Sequence, residues 1–274
     1  MAMTVRTNVP SLRAAGQLGV TQLSLTRTLE RISSGQRINR AADDAAGLGV
    51  ATSLRTDVIS TQQAIRNSND GISIITTAES ATNEITDILQ RMRELAIQSA
   101  SGTLANEERS YVQDEFTELR NEVERIAAVT EFNGVALTDG SLSGLNVQVG
   151  IQNASSSIIR ISLTDLTTIG LGISVMALDS MANALTALSV LDTALSSVNA
   201  HRSRLGAAQN RIDAAIDNST VYIEALTSAE STIMDADYAV ETSELTKLQI
   251  LQQAGVAALA QAKNINQALI SLLS

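Results

Sequence analysis

The 274-residue chain has no cysteine and a single proline, and only 2% of its residues are aromatic. Without cysteine there is no disulfide, no thiolate nucleophile and no thiolate metal site. Because Pro10 is the only proline, nothing interrupts long helices further along the chain. Hydrophobic residues reach 44%, but a compact globule of this size usually anchors its core on more rings. The composition therefore favours thin cross-sections of two or three helices.

Catalytic and ligand-binding patterns are also missing from the sequence. His201 is the only histidine, which excludes histidine-based triads and multi-histidine metal sites. Gly170 and Gly172 are not followed by the lysine of a phosphate-binding loop. We therefore predict no catalytic residue, no metal and no cofactor, and we assign His201 a structural or solvated role.

Charge and hydropathy argue against two classes of partner. The net charge is −10 and no cluster of lysine and arginine is present, which argues against nucleic acid. No apolar run reaches the roughly 18 residues of a membrane span, so we expect no membrane insertion. The N-terminal segment lacks the apolar region and cleavage site of a signal peptide. If the protein is exported, we expect a route without a cleaved signal.

The two ends of the chain share a length, a pattern and a lack of charge. Only Lys247 and Lys263 are charged from residue 245 onwards, and only Arg13 and Arg27 between residues 11 and 29. Apolar residues recur at alternating spacings of three and four, which predicts a coiled-coil seam at each end. The seam comprises Leu18, Leu25, Leu29 and Ile32 at the first end, and Leu245, Leu248, Leu259, Leu269 and Leu273 at the second.

Ile250, Leu251 and Val256 widen the second stripe until it runs almost all round the helix. A helix so poor in charge must be covered. We predict that the two ends pair with each other as a two-helix terminal module. Neighbouring copies of the chain would cover the remaining apolar surface, which indicates a homopolymer.

Heptad spacing predicts three further helices, over 45–100, from a cap at Thr103 to the turn at Phe132, and over 179–232. The segment Asn67–Gly71 looks like a turn, but the heptad phase continues across it. We therefore predict one unbroken helix of about 80 Å. In the last of the three, the predicted register runs through Leu195, Val198, Arg202, Leu205, Gln209 and Ile212, and leaves His201 one position off.

Polar segments at 33–44 and 233–237 are predicted to be linkers. Their acidic pairs, Asp43 with Asp44 and Asp235 with Asp237, are predicted to cap the helices that follow. Residues 135–178 alternate apolar and polar positions around Leu145–Ile151 and Ile159–Leu163, which predicts a β-hairpin. The predicted fold is mainly α: a long antiparallel, coiled-coil bundle with a small β-hairpin region and the two-helix terminal module.

Seven ordered segments make the chain resemble bacterial flagellin. They are ERISSGQRINRAADDAAGL (30–48), NSNDGISIITTAESA (67–81), LQRMRELAIQSASGT (89–103), RIAAVTEFNG (125–134), RLGAAQNR (204–211), DADYAVE (235–241) and ILQQAGVAALAQA (250–262). The resemblance covers nearly everything except about residues 140–178. It implies a secreted structural subunit that self-assembles into the extracellular filament of the bacterial flagellum and serves motility.

The resemblance also implies how the parts are used. Residues 1–32 and 238–274 would form the inner tube of the filament, with 33–44 and 233–237 as linkers. A three-helix rod of 45–134 and 179–232 would form the outer tube. Residues 135–178 would stand in place of the large variable outer domains of longer family members, so the chain resembles a short form.

Family membership further implies partners. These are other copies of the chain in a helical homopolymer, the flagellar export apparatus, a chaperone of the C-terminal segment, and hook-associated and cap proteins. The segment QRMRELAIQ is similar to the one that Toll-like receptor 5 recognises, which would make the monomer an innate immune receptor ligand through Gln90, Arg91, Leu95 and Glu115. A hook–filament junction protein, which shares related terminal helices, is the alternative, but the run 67–134 and RLGAAQNR favour flagellin.

Overall fold

The computed structural model describes residues 7–271, and side chains as far as residue 264. The helices in this part are α1 Val9–Ser34, α2 Ala45–Ser99, α3 Asn106–Val129, α4 Met181–Met234 and α5 Tyr238–Ser271. The strands are β1 Glu131–Phe132, β2 Val135–Ala136, β3 Gly144–Gln148 and β4 Ile158–Ser162. Two compact units result: unit 1 joins Met1–Thr56 and Ala225–Ser274, and unit 2 is Asp57–Glu224. The mainly α fold with a small β region is confirmed.

Helix α2 passes through Asn67–Gly71 without a break, as the heptad phase predicts. Gly71 is buried there because two neighbours come close to its backbone. A Cβ at this position would lie 3.1 Å from Val147 Cγ2 and 3.3 Å from Ile212 Cδ1. The glycine therefore serves close packing of β3 and α4 against α2, and not a turn.

The predicted cap of α3 at Thr103 is wrong. The helix begins at Asn106, after an extended Ala105 whose backbone N–H donates to Glu108 Oε2 at 2.9 Å. The Thr103 hydroxyl instead hydrogen-bonds with the Ser101 hydroxyl at 2.7 Å, inside the turn between α2 and α3. A glutamate in the first helical turn therefore does the capping.

The β region comprises two antiparallel pairs. Asn133 and Gly134 both have positive φ, 52° and 76°, as the two-residue turn between β1 and β2 requires. In the predicted hairpin, β3 pairs with β4 from Gly144 opposite Ser162 to Gln148 opposite Ile158. The first strand is shorter than predicted, because the N–H groups of Val149 and Gly150 both donate to Ser157 O and end the ladder.

Two apolar cores organise unit 2. The helical core joins α2, α3 and α4 with the loop after β4, and includes Ile85, Leu89, Phe116, Leu171 and Leu191. The hairpin core joins the hairpin to α2 and α4, and includes Ile75, Val147, Ile161, Leu205 and Ile212. The hairpin thus packs on the helices, as a pair of strands this short requires.

The register predicted for α4 is wrong at Arg202 and Gln209, which are only half-buried. The buried face of α4 runs through Leu191, Ala194, Val198, His201, Leu205, Ala208 and Ile212. Small alanines and the histidine occupy core positions in this register. A register assigned from large apolar residues alone therefore differs from the observed one.

By length and composition alone, α4 is the one helix in the described part of the chain that could cross a membrane. Its mean hydropathy reaches 1.2 over an 18-residue window. Several apolar residues near the start of α4 pack inside the protein. Ala184, Ala187, Leu191 and Ala194 are buried in the helical core.

Candidate assembly surface

Within unit 1, α1 and α5 pack against each other in antiparallel directions. Leu25 and Leu248 are buried, and two long-range hydrogen bonds set the register. Asn8 Nδ2 donates to Ala262 O at 2.9 Å, and Gln252 Nε2 donates to Gln22 Oε1 at 2.6 Å. The predicted pairing of the two ends of the chain is therefore confirmed over the described residues.

Polar contacts fix the end of this helix pair where the chain leaves α1. Arg31 Nη1 lies 3.3 Å from Glu241 Oε1, and the glutamate side chain is only 12% exposed. The Tyr238 hydroxyl donates to Ile32 O at 2.6 Å. A buried carboxylate needs such a partner, so this ion pair contributes more to geometry than an exposed one would.

The two predicted linker segments hydrogen-bond to each other. Gly35 adopts a left-handed conformation with φ 70° and ends α1. Its carbonyl accepts from Ala236 N at 2.9 Å, and Arg37 N donates to Met234 O at 2.6 Å. Ile38, which follows in the first linker, forms a small apolar cluster with Ala51 of α2 and Met234 of α4.

The predicted capping role is confirmed for Asp44 at the start of α2 and for Asp237 at the start of α5. It is wrong for Asp43 and for Asp235, whose Oδ2 accepts from the Ser231 hydroxyl at 2.6 Å at the end of α4. Asp44 Oδ1 accepts from Gly47 N at 2.8 Å, and Asp237 Oδ1 accepts from Ala239 N at 2.8 Å. Asp43 Oδ2 accepts from Asn39 N and Arg40 N and holds the preceding turn. Backbone donors at the helix ends are thereby satisfied.

The residues predicted for the polymerisation seam differ in their burial. Leu25 and Leu248 are buried within the helix pair, and Leu18, Ile32, Leu245 and Leu259 are half-buried. Leu29 is exposed. The side chain of Leu269 and all of Leu273 lie outside the described residues. Most described members of the predicted seam therefore face inward, and the surface left open is made by other residues.

Besides Leu29 and Tyr238, seven large apolar side chains on α1 and α5 are between 46% and 64% exposed, and we call these seven the open apolar face. They are Leu12, Val20 and Leu23 on α1, and Val240, Ile250, Leu251 and Val256 on α5. A search for one seam per helix misses Leu12, Val20, Leu23 and Val240, because these residues lie off the seam. The lack of charge, with Arg13 and Arg27 alone between residues 11 and 29, is the signal for the three on α1, and no such signal marks Val240, which is followed by Glu241.

The four residues predicted to contact a receptor do not form one surface. Arg91 is exposed and its Nη2 lies 2.8 Å from Glu115 Oε1 on α3, while Nη1 lies 2.9 Å from Glu94 Oε2. These hydrogen bonds, first that to Glu94, raise the pKa of Arg91. Gln90 is exposed beside them. Leu95 is only 1% exposed and belongs to the helical core.

No group of three histidine, cysteine, aspartate or glutamate side chains that could hold a metal occurs among residues 7–264. His201 is fully buried, and neither ring nitrogen has a hydrogen-bond partner. Burial, and secondly the nearby Arg204, lower the pKa of His201 to about 4. The ring is thus neutral at pH 7.

The sequence matches two family descriptions that together span most of the chain. Residues 5–143 match the bacterial flagellin N-terminal helical region, and residues 188–273 match the bacterial flagellin C-terminal helical region. A flagellin of Halalkalibacterium halodurans is 41% identical over 273 residues, which cover 99% of this chain and 100% of the relative. The flagellar filament 33 kDa core protein of Treponema phagedenis is 38% identical over 288 residues, with 99% and 100% covered.

Solved structures add two likenesses. The crystal structure of Bacillus cereus flagellin aligns with a TM-score of 0.51 and 30% identity, over 56% of this chain and 88% of that one. A putative flagellar hook-associated protein from Vibrio parahaemolyticus aligns with a TM-score of 0.59 over 70% of this chain and 100% of that one. The second pair is only 14% identical, so it indicates a shared fold alone.

Proposed function

Because the chain belongs to the bacterial flagellin family and is a structural subunit of the flagellar filament, we propose that its copies join through the open apolar face of α1 and α5. The observation that carries this proposal is the exposure of seven large apolar side chains on two helices with very few charges. A hook–filament junction role is not favoured, because the full-length relatives are flagellins and filament core proteins.

The energetics support assembly through this face. Completing the burial of one half-exposed leucine, isoleucine or valine contributes roughly 1 to 2 kcal/mol. Several such side chains together offset the entropic cost of bringing two copies together. If the α1 part of one copy meets the α5 part of the next without the reciprocal contact, the interface is heterologous, and a heterologous interface whose rotation does not close a ring generates an open helical polymer.

The test replaces Leu12, Leu23, Ile250 and Val256 with glutamine and adds the purified chain to filament seeds. Glutamine keeps helix propensity close to that of leucine, so the circular dichroism and thermal unfolding of the monomer should change little. Elongation, followed by light scattering and electron microscopy, should slow by at least about tenfold, since apolar contacts at these positions are lost.

A matched control replaces Thr26, Ser243 and Thr246, which are exposed polar residues of the same two helices, with glutamine. This variant should elongate at the normal rate and give long filaments. Normal elongation of the apolar-face variant would contradict the proposal. Short assemblies from the unaltered chain would point back to a junction protein.

We further propose the assignments that family membership carries for parts of the chain. Residues 1–32 and 238–274 form the inner tube, 45–134 and 179–232 form the outer tube, and 135–178 replaces variable outer domains. The chain leaves the cell through the flagellar export apparatus, acts outside it, carries no enzyme activity, and meets hook-associated and cap proteins at the filament ends.

A chaperone covers the C-terminal segment before export. Exposed Ile250 and Val256 support that role, since unassembled chains would otherwise aggregate.

We also propose that the monomer binds Toll-like receptor 5 through Gln90, Arg91 and Glu115. The exposed ion pair between Arg91 and Glu115 supports this, because it presents a fixed charged surface across α2 and α3. Leu95 would act only by packing beneath that surface.

Arg91→Ala should weaken monomer binding to the receptor ectodomain by at least about tenfold in surface plasmon resonance, as for an arginine at the centre of an interface. Arg93→Ala is the matched control, since Arg93 also pairs with a carboxylate of another helix, Asp192. Equal effects of the two variants, or none, would contradict the receptor proposal.

A further inference from the structure

His201 lies on the buried face of α4 at the level where the two cores of unit 2 meet. One turn before it, Val198 belongs to the helical core, and one turn after it, Leu205 belongs to the hairpin core. Helix α2 also passes from one core to the other, because Ala78 belongs to the hairpin core and Ile85 to the helical core. The imidazole is therefore a polar group between two apolar clusters.

The surroundings of this ring suit only its neutral form. It is 0% exposed, and neither Nδ1 nor Nε2 has a hydrogen-bond partner. Of the buried hydroxyls at the same level of α2, Thr82 donates to Ala78 O and Thr86 donates to Thr82 O. A protonated imidazole would bring two N–H donors and a charge into this site without a matching acceptor.

Among the described residues, no charged group nearby lowers the free-energy cost of protonating the His201 ring. Arg204, on the same helix, is positive and acts against a second positive charge. Its guanidinium donates to Ala200 O and Thr164 Oγ1. On α2, Glu84 is exposed and Glu79 half-buried, and on α3 the carboxylate of Glu124 accepts from Thr168 N and Oγ1. Burial and Arg204 are the two influences on the pKa of His201.

We propose that His201 is an acid-sensing element of unit 2, whose protonation opens the packing between the helical core and the hairpin core. Proton uptake requires water or an acceptor at the ring, and both become available only when α4 separates locally from its neighbours. Each copy of the subunit carries one such element.

The direction of the pH dependence follows from the ring's neutral folded state. Above its ordinary pKa of 6.5, His201 is neutral in the folded and unfolded chain and does not affect stability. Below pH 6.5 the unfolded chain takes up a proton that the folded chain does not, so stability is lost. The loss from this residue continues to about pH 4, the pKa of the ring in the native chain, and grows no further below it.

The first measurement follows the single histidine of the full chain by NMR. In the folded monomer the ring signals should keep the shifts of neutral imidazole at pH 5, whereas in 8 M urea they should titrate near the ordinary pKa. Titration near pH 6.5 in the folded chain would overturn the proposal.

The second measurement compares the full-length chain with His201→Leu and His201→Gln by amide hydrogen exchange, read separately in peptides of α2 and α4. Between pH 7.5 and pH 5 the original chain should open about 30-fold more than either variant, after correction for intrinsic exchange rates. Two variants are needed because leucine fills the site with apolar atoms while glutamine keeps it polar without titrating. An equal pH response in all three chains would assign the effect to carboxylates and overturn the proposal.

Discussion

Units 1 and 2 are built from equally regular helices but differ in how much they bury. Unit 2 surrounds its apolar residues with α2, α3, α4, the hairpin and a loop, which gives the helical core and the hairpin core. In unit 1 the apolar cluster is small, with Ile38, Ala51 and Met234 fully inside it. Along α1 and α5 each helix has essentially one neighbour, and one neighbour covers one face.

The number of neighbouring elements, and not the heptad pattern, decides whether an apolar residue is buried. Phe116 on α3 is fully buried, whereas Leu29 on α1, a member of the predicted seam, is exposed. Unit 2 therefore has the means to fold by itself. The remaining apolar surface of unit 1 is stabilised only by association, which suits a filament subunit.

The largest effect is expected in the helical core. Phe116→Ala removes a fully buried ring and should destabilise unit 2 by about 3 to 5 kcal/mol in urea unfolding. Tyr111→Ala is the control on the same helix, because Tyr111 is 68% exposed, and it should change stability by less than about 0.5 kcal/mol. Similar losses for the two variants would remove the contrast between core and surface in unit 2.

A smaller effect is expected inside the helix pair of unit 1. Leu248→Ala should lower the protection of α1 and α5 amides against hydrogen exchange by an amount equivalent to about 2 kcal/mol. Leu251→Ala truncates an exposed leucine of the same helix and should leave protection in the monomer unchanged. If Leu251→Ala had the larger effect, the assignment of buried and open faces would be reversed.

Capping should contribute less again. Asp237→Ala leaves the N–H of Ala239 without its acceptor and should destabilise the start of α5 by about 1 kcal/mol. Asp237→Asn retains a side-chain oxygen at that position and should restore most of the loss. Exchange rates of amides in the first turn of α5 provide the measurement, and equal rates in the two variants would argue against a capping role.

The smallest effect is expected at a surface ion pair of unit 2. Arg93 Nε lies 2.7 Å from Asp192 Oδ1, but both side chains are well exposed. Water and salt screen such pairs, so Arg93→Ala should not measurably change the thermal unfolding midpoint. A clear decrease would show that unit 2 depends on its surface charges as well as on its cores.

Periodicity predicted the helices well because each one keeps its phase over many turns. The unbroken α2 and the pairing of α1 with α5 were both predictable in this way. The α4 register was not, since Ala194, His201 and Ala208 hold core positions that large apolar residues usually take. Small residues are buried where backbones approach closely, and that depends on the partner helices.

The assembly surface was predictable in kind but not in its residues. The low number of charged residues indicated that both ends of the chain are covered by other protein surface. Only the three-dimensional packing distinguishes Leu25, which is buried between α1 and α5, from Leu23, which is exposed. Leu95 is a second case in which sequence does not predict exposure. The receptor motif groups it with Arg91, but its side chain is buried in the helical core.

Gly71 has a consequence for how this gene can vary. Its neighbours Asn69 and Asp70 are exposed on α2 and are expected to vary freely, whereas Ser68 is buried and donates to Ala64 O. Position 71 is different, because even a methyl group there requires Val147 or Ile212 to yield by a few tenths of an ångström. Random mutagenesis followed by selection for swimming cells should therefore recover fewer substitutions at position 71 than at the exposed positions 69 and 70.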